Sequence, residues 1–358
     1  MAAVLLAGCG FVGSEDGDGR PSATPAAVAD IACAKKGKVP GSGSTAQQNA
    51  MKYWIKQYQR ACPGVQIAYN PIGSGAGVAQ FLRGATAFGG SDSALKPEDV
   101  ELSSKDVCPG GRAIDLPMVG GPIAIGYNLV GVDDLVLDAP TLAKIFDAQI
   151  TTWNDPAIRK LNPDTKLPSI RIHPVHRSDD SGTTQNFQAY LSGAAQEVWQ
   201  YPAEKTWHGR LGESAEGSSE VASVVNSTEG AIGYFELSFS AALKIDTVSI
   251  DTGAPEPVAP SPKTASAGIA TAEVAGKGKD MTLKFDYATH KEGAYPIVLI
   301  SYEIVCDTGN QAATLPALKS FLTYTASEEG QKPLAKIHYA PLPDSVAAEV
   351  RKVVRTLS

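Results

Sequence analysis

A chain of 358 residues, 43% hydrophobic and 19% charged, is long enough for two lobes that each bury a core, and its 35 glycines and 24 prolines point to many tight turns rather than to disorder. The formal net charge of −7 argues against a nucleic-acid partner, because phosphate backbones are gripped mainly by massed Lys and Arg. No apolar run reaches the roughly 20 residues that span a bilayer, so any membrane association falls on the N-terminus.

In the opening Met1-Ala-Ala-Val-Leu-Leu-Ala-Gly-Cys9, the stretch Leu6-Ala7-Gly8-Cys9 resembles the bacterial lipobox, at which Cys9 would be cleaved and lipidated. No Lys or Arg precedes Cys9, so the charged n-region of a signal peptide is missing. Residues 10–30, rich in Gly, Ser, Asp, Pro and Ala, carry too little large apolar surface to fold and read as a tether. Residues 1–35 are therefore assigned to signal remnant, lipobox and tether. The other cysteines, Cys33, Cys62, Cys108 and Cys306, are even in number and contain no CxxC pair, which fits two disulfides in an oxidising compartment.

From residue 37 the pattern alternates strand, glycine-rich turn and helix, as in a doubly wound parallel sheet. Lys38-Val39 leads through Gly41-Ser-Gly-Ser-Thr45 into a helix whose Ala50, Met51, Trp54, Ile55, Tyr58 and Ala61 fall at helical spacing. Pro63-Gly64 stops it. Val65–Tyr69 is strand-like, Gly73-Ser-Gly-Ala-Gly77 opens a second helix, and a third strand ends in Phe88-Gly-Gly-Ser-Asp92. Two long apolar stretches, Ala113–Leu129 and Tyr295–Val305, are expected to leave and re-enter the first lobe as a paired hinge. Between them lie a helix around Thr141–Phe146, a strand Ser169–Val175, the turn Arg177–Thr184 with its helix through Leu191, and Gly230-Ala-Ile-Gly-Tyr234. Residues 253–280 read as a surface insertion with one short helix, and Thr314–Thr325 and Ser345–Leu357 as helices that close the first lobe. Lobe I then comprises 36–118 and 297–358, and lobe II 119–296.

Four segments concentrate anion-binding groups: Gly43-Ser44-Thr45, Gly73-Ser74-Gly75, Ser91-Asp92, and His176 to Thr184. Three of them sit at expected helix starts, where free N–H groups and the positive dipole end favour an anion. Ser and Thr hydroxyls add donors without charge, Arg177 supplies a planar fork for a tetrahedral oxyanion, and Asp179 is placed to orient it. Singly, each segment is equally well a helix cap, a turn or a surface ion pair; together, at strand ends that face one crevice in open α/β sheets, they describe a site.

These motifs, with Ile72-Gly-Ser-Gly-Ala-Gly77, Phe88-Gly-Gly-Ser-Asp92-Ser-Ala-Leu, Thr141-Leu-Ala-Lys-Ile-Phe146, Thr152-Trp153-Asn-Asp-Pro156 and Pro341-Leu-Pro-Asp344, closely resemble PstS, the phosphate-binding protein of the high-affinity phosphate ABC transporter. The resemblance runs from about residue 36 to the end, and with the lipobox and cysteines it is most similar to actinobacterial lipoprotein members. It implies a two-lobed periplasmic-binding-protein-like (Venus flytrap) α/β fold, with two doubly wound lobes joined by a two-strand hinge. It implies no enzymatic activity and no cofactor or metal. It also implies contacts to inorganic phosphate from Thr45, the N–H of Ala46 and Ser74, a hydrogen bond from phosphate to Asp92, and contacts from Arg177, Ser181, Gly182 and Thr183, with Ser44 and Asp179 in support. Ala46 departs from relatives that often carry an aromatic residue there. Partners implied are the permease subunits of the transporter and, through the lipid on Cys9, the outer face of the cell membrane; the protein is expected to be a monomer.

The rival readings are weaker. No Gly-x-Ser-x-Gly elbow supports a hydrolase, His173 and His176 three apart on a strand point to opposite faces rather than to one metal, and Gly73-x-Gly75 places its third glycine at 77, one position early for a dinucleotide fingerprint. Another tetrahedral oxyanion such as sulfate is the alternative ligand. Chain direction places Cys33 and Cys62 at the end of lobe I away from the crevice, and Cys108 and Cys306 beside the hinge strands at that same end. Cys33–Cys62 and Cys108–Cys306 are favoured among three possible pairings.

Overall fold

The computed structural model describes residues 31–210 and 212–358. Cys9 and the tether at 10–30 lie outside the described residues. Among those described, no helix is long and apolar enough to cross a membrane.

One nine-stranded sheet runs through the molecule. Its order is Val65–Pro71, Gly37–Gly43, Phe88–Ser91, Val298–Cys306, Ala113–Tyr127, Ala231–Glu236, His173–Arg177 and Glu213–Ala215, with Asp246–Thr247 also on Ala113–Tyr127. At one end Gly37–Gly43 is parallel to both its neighbours, and at the other His173–Arg177 is parallel to both of its own. The expected hinge joins these two parallel blocks. Val298–Cys306 runs antiparallel to Ala113–Tyr127 from Val298↔Pro122 to Cys306↔Ala113, and the far part of the same strand, Ile123–Tyr127, pairs with Ala231–Glu236. Both hinge strands are buried along their whole length, which is why they read as long apolar stretches, interrupted by Asp115 in one and by Ser301 and Glu303 in the other. Their register shifts between Ser301 and Tyr302, where Met118 is the extra residue opposite. Pro117, which has no N–H for the ladder, sits beside this bulge.

The helix Gln48–Ala61 forms as its spacing predicts, burying Ala50, Met51, Trp54 and Tyr58 on one face. Trp54 Nε1 donates to the Gly330 carbonyl at 2.8 Å and Tyr58 to Ser320 Oγ at 2.7 Å, so the aromatic payload is buried without stranding its polar ends. Leu315–Thr325 and Asp344–Arg355 pack over the same lobe, as expected.

Three expectations need correction. The strand expected at Ser169–Val175 begins only at His173 and continues to Arg177. Residues before it are held instead by Trp153 N–H on the Ile170 carbonyl and Ile172 N–H on the Thr151 carbonyl. The helix after Thr45 starts at Gln48, with neither Ser44 nor Thr45 as its cap, because their hydroxyls are taken by other partners. Residues 253–280 are more than a surface insertion. Their helix Pro262–Ile269 buries Ala265, Gly268 and Ile269 against the hinge, with Tyr295 N–H donating to the Thr264 carbonyl. A run of small residues hid that face. Both favoured disulfides are present, Cys33–Cys62 and Cys108–Cys306.

Candidate functional site

The loops expected to meet an anion converge where the two parallel blocks face each other. Asp92 lies at the centre, 2% exposed. Its Oδ1 accepts from Ser44 Oγ at 2.5 Å and Ser301 Oγ at 2.7 Å, and its Oδ2 accepts from Thr183 Oγ1 at 2.9 Å. Burial pushes its carboxyl above the usual aspartate range, while the Ser44, Ser301 and Thr183 hydroxyls and the charge of Arg177 pull it back. Three donors on an acceptor-only group are what an ionised carboxylate needs in a dry site.

Arg177 ends its strand with its guanidinium buried. Nε donates to Asp179 Oδ1 at 2.7 Å, Nη2 to Asp179 Oδ2, and Nη1 reaches Ser218 Oγ at 3.4 Å. Of five N–H donors, two remain for a ligand. Burial alone would raise Asp179, but the two hydrogen bonds and charge of Arg177, with the Gly217 N–H, hold its carboxyl below the ordinary value. The pair is thus a rigid cation mount.

Helix starts supply the neutral donors. Ser74 is the first residue of Ser74–Leu82, and its Oγ accepts from Asp92 N–H at 3.2 Å. Ser181 caps Gly182–Ala194 by accepting from Thr184 N–H at 3.2 Å. Gly182 has no room for a side chain: a Cβ there would sit 2.8 Å from Asp92 Cβ and 2.9 Å from Ser74 Oγ. The absence of Cβ is what lets the second block close on the first. Thr45 Oγ1 accepts from Ser218 N–H at 3.1 Å, also across the crevice. The N–H of Ala46, expected to face the anion, donates to Ser44 Oγ at 3.0 Å, and its carbonyl accepts from Tyr339 at 2.5 Å. The His176 ring stacks on Trp207 at 5.3 Å, and its Nδ1 lies 3.0 Å from the Arg177 carbonyl.

Sequence reasoning therefore brought Ser44, Thr45, Ser74, Asp92, Arg177, Asp179, Gly182 and Thr183 to one place, with Ser181 and Ala46 adjoining. It missed Ser218, Ser301 and Asn186. Ser218 follows Gly217 at the start of Gly217–Ser227 and carries the same signal, a small hydroxyl at a helix start, as the motifs that were found. Asn186 Nδ2 bridges the carbonyls of Asp92 at 2.7 Å and Gly182 at 2.8 Å. Ser301, in the middle of an apolar strand, is marked only by being polar there.

The family model for the PBP superfamily domain matches residues 22–329. Phosphate-binding protein PstS 3 of Mycobacterium leprae is 42% identical over 359 residues, covering 99% of this chain and 95% of its own. Phosphate-binding protein PstS 2 of Mycobacterium tuberculosis is 41% identical over 331 residues, 92% of this chain and 89% of its own. Among solved structures, a high affinity periplasmic phosphate-binding protein (PfluDING) bound with phosphate overlays with a TM-score of 0.72 at 21% identity, covering 88% of this chain and 93% of that one. The phosphate binding protein of Stenotrophomonas maltophilia overlays at 0.65 with 18% identity and the same coverage. These overlays share the two-lobed α/β architecture built here around the hinge pair. By sequence and by fold together, the chain belongs to the PstS family of phosphate-binding proteins within the PBP superfamily.

Proposed function

We propose that this protein is an extracytoplasmic receptor that captures inorganic phosphate between its lobes and delivers it to the permease of an ABC transporter, without catalysing a reaction. The observation that carries the reading is the state of Asp92. A carboxylate offers about four lone-pair positions, and three are filled by Ser44, Ser301 and Thr183, which leaves Oδ2 able to accept one more hydrogen bond. A carboxylate beside a mounted arginine suits an anion that still carries a proton. Phosphate does at neutral pH, and sulfate does not.

In this reading Arg177 donates to two phosphate oxygens, and Thr45, Ser74 and Ser181 donate through hydroxyls; Thr183, whose hydroxyl proton is held by Asp92, contacts the anion beside the Gly182 N–H, and the Ala46 N–H joins the shell by leaving Ser44 Oγ. Asp179 mounts Arg177 and Ser44 steadies Asp92. Lobe I is 36–118 with 297–358, and lobe II is 119–296, so one changeover falls within Ala113–Tyr127 and the other just before Val298–Cys306. The relatives it matches are named as phosphate-binding proteins, which supports binding rather than catalysis. The monomeric receptor would hang from the membrane by a lipid on Cys9. A native-length precursor carrying Cys9→Ser should then be released to the medium, and unchanged membrane retention would count against the anchor.

Calorimetry with phosphate and with sulfate on the same protein tests the central reading. Saturable binding of phosphate and none of sulfate is expected. Equal binding of the two would overturn the assignment of Asp92, and failure to bind phosphate would overturn the function.

A further inference from the structure

Beneath the phosphate site lies a set of buried polar groups that the site itself does not use. Glu303, on the returning hinge strand, is fully buried, and neither carboxyl oxygen has a hydrogen-bond partner among the described residues. Gln47 is equally buried and its Oε1 is also unpartnered. The two are neighbours by register. Glu303 pairs with Gly90, and the space where Gly90 would carry a Cβ is filled by Gln47 Nε2, 2.3 Å from that position, and Tyr69 Oη, 2.4 Å from it. Cross-strand partners share one face of a sheet, so the Glu303 carboxyl stands beside the Gln47 amide.

Three oxygens without a donor cannot be left together in a dry interior. An ionised Glu303 would make it worse. The titratable groups that face it among the described residues are Asp92, whose charge opposes a second negative charge, and Tyr69, with no cation between them. One proton resolves the conflict. As a neutral acid Glu303 donates to Gln47 Oε1, and the amide so held lies at the head of a chain of bonds that runs to the Ser44 turn. Gln47 Nε2 donates to Tyr69 Oη at 2.9 Å, the Tyr69 hydroxyl donates to the Ser44 carbonyl at 2.9 Å, and Ser44 Oγ donates to Asp92. Burial raises the Glu303 carboxyl well above the ordinary glutamate range; the Gln47 amide beside it pulls the other way and the Asp92 charge adds to the rise.

We propose that Glu303 is a positioning residue for the anion site: it carries a proton, gives that hydrogen bond to Gln47, and through Gln47 and Tyr69 locks the Ser44-Thr45-Ala46 turn in its binding conformation. The proposal rests on the phosphate reading above for its functional consequence, though not for the proton itself. Without the proton, the carboxylate competes with Tyr69 for the Gln47 Nε2 donors, and the anchor of the turn is weakened.

Two measurements on the whole protein test it. Infrared difference spectra at about pH 8 should contain a protonated-carboxyl band in the parent that is lost in Glu303→Gln. Glu236 and Asp115, also raised by burial, contribute equally to both proteins and cancel. Identical spectra would mean that Glu303 is ionised and would overturn the proposal. In phosphate calorimetry, Glu303→Leu, which cannot donate, should bind at least about tenfold more weakly, and Glu303→Gln, which can donate through its amide, should recover most of the loss. In a Gln47→Leu background the Glu303→Leu change should have almost no further effect, because its route to the turn is gone. Full additivity, or a Gln variant as weak as the Leu one, overturns the relay. Should Glu303→Leu fail to fold, the infrared comparison still decides on the proton. A parent that ignores phosphate defeats the functional reading and leaves the infrared result standing.

Discussion

In the proposed phosphate reading, Asp92 and Arg177 divide the work of binding in a way that single substitutions separate. Asp92 is an acceptor held by three hydroxyls, so it meets sulfate with an unrelieved like-charge contact in a closed crevice, a penalty on the order of several kcal/mol. Asp92→Asn keeps the size and supplies an NH₂ donor; sulfate binding should appear in calorimetry while phosphate keeps much of its affinity. A variant that still rejects sulfate as the parent does would place selectivity elsewhere. Arg177→Ala should weaken both anions together by about 2–5 kcal/mol, because the guanidinium donates to either and its loss strands Asp179. A loss confined to phosphate would show that Arg177 reads something other than charge and shape. How much of this was legible in the sequence follows from distance along the chain. Ser44, Thr45, Ser74, Arg177 and Ser181 announce themselves because each stands in a local motif, a hydroxyl or cation in a glycine-rich turn. Ser301 comes to Asp92 from 209 residues away and Ser218 to Thr45 from 173. Neither meeting leaves a local trace, since a serine in a hinge strand or a helix start has many other uses.

At the scale of elements, the hinge pair and the disulfides follow from connectivity. Two strands that leave and re-enter a lobe must pair, and Cys108 and Cys306 sit at the ends of that pair remote from the site, where Cys306 is aligned with Ala113. The bulge at Met118 was not legible, because neither hydrophobicity nor propensity records which residue of Pro117-Met-Val119 is left over. The late start of the helix at Gln48 was hidden for another reason: Ser44 and Thr45 are good caps by type, but Asp92 and Ser218 outcompete the helix for their hydroxyls. Replacing Cys108 and Cys306 together by Ser should lower stability by about 2–4 kcal/mol in denaturant titration while leaving the phosphate Kd unchanged. A large change in affinity would mean that the disulfide sets the hinge geometry and does more than restrain the unfolded chain.

For the molecule as a whole, burying carboxyls along the hinge makes stability depend on pH. Burial raises Asp115 to about 7 against the partial relief of the Leu95 N–H, and raises Glu236 to about 8 against that of the Ser238 hydroxyl and N–H. In the unfolded chain such groups titrate near 4, so between roughly pH 4 and pH 8 the folded protein binds more protons than the unfolded one. Stability from these groups is therefore complete below about pH 4 and is lost as pH rises through 7 and 8. Asp179 runs the other way: its depressed carboxyl contributes above its unfolded value and is lost as pH falls below that. The two trends place the optimum in mildly acid solution. In phosphate-free buffer the melting temperature should fall steadily from about pH 5 to about pH 8.5. Asp115→Asn and Glu236→Gln retain acceptors for Leu95 N–H and Ser238, so each should raise the melting temperature at the alkaline end and change it little at pH 5. A melting temperature that is flat across this range, or variants that keep the slope of the parent, would show that these carboxyls are ionised in the folded protein.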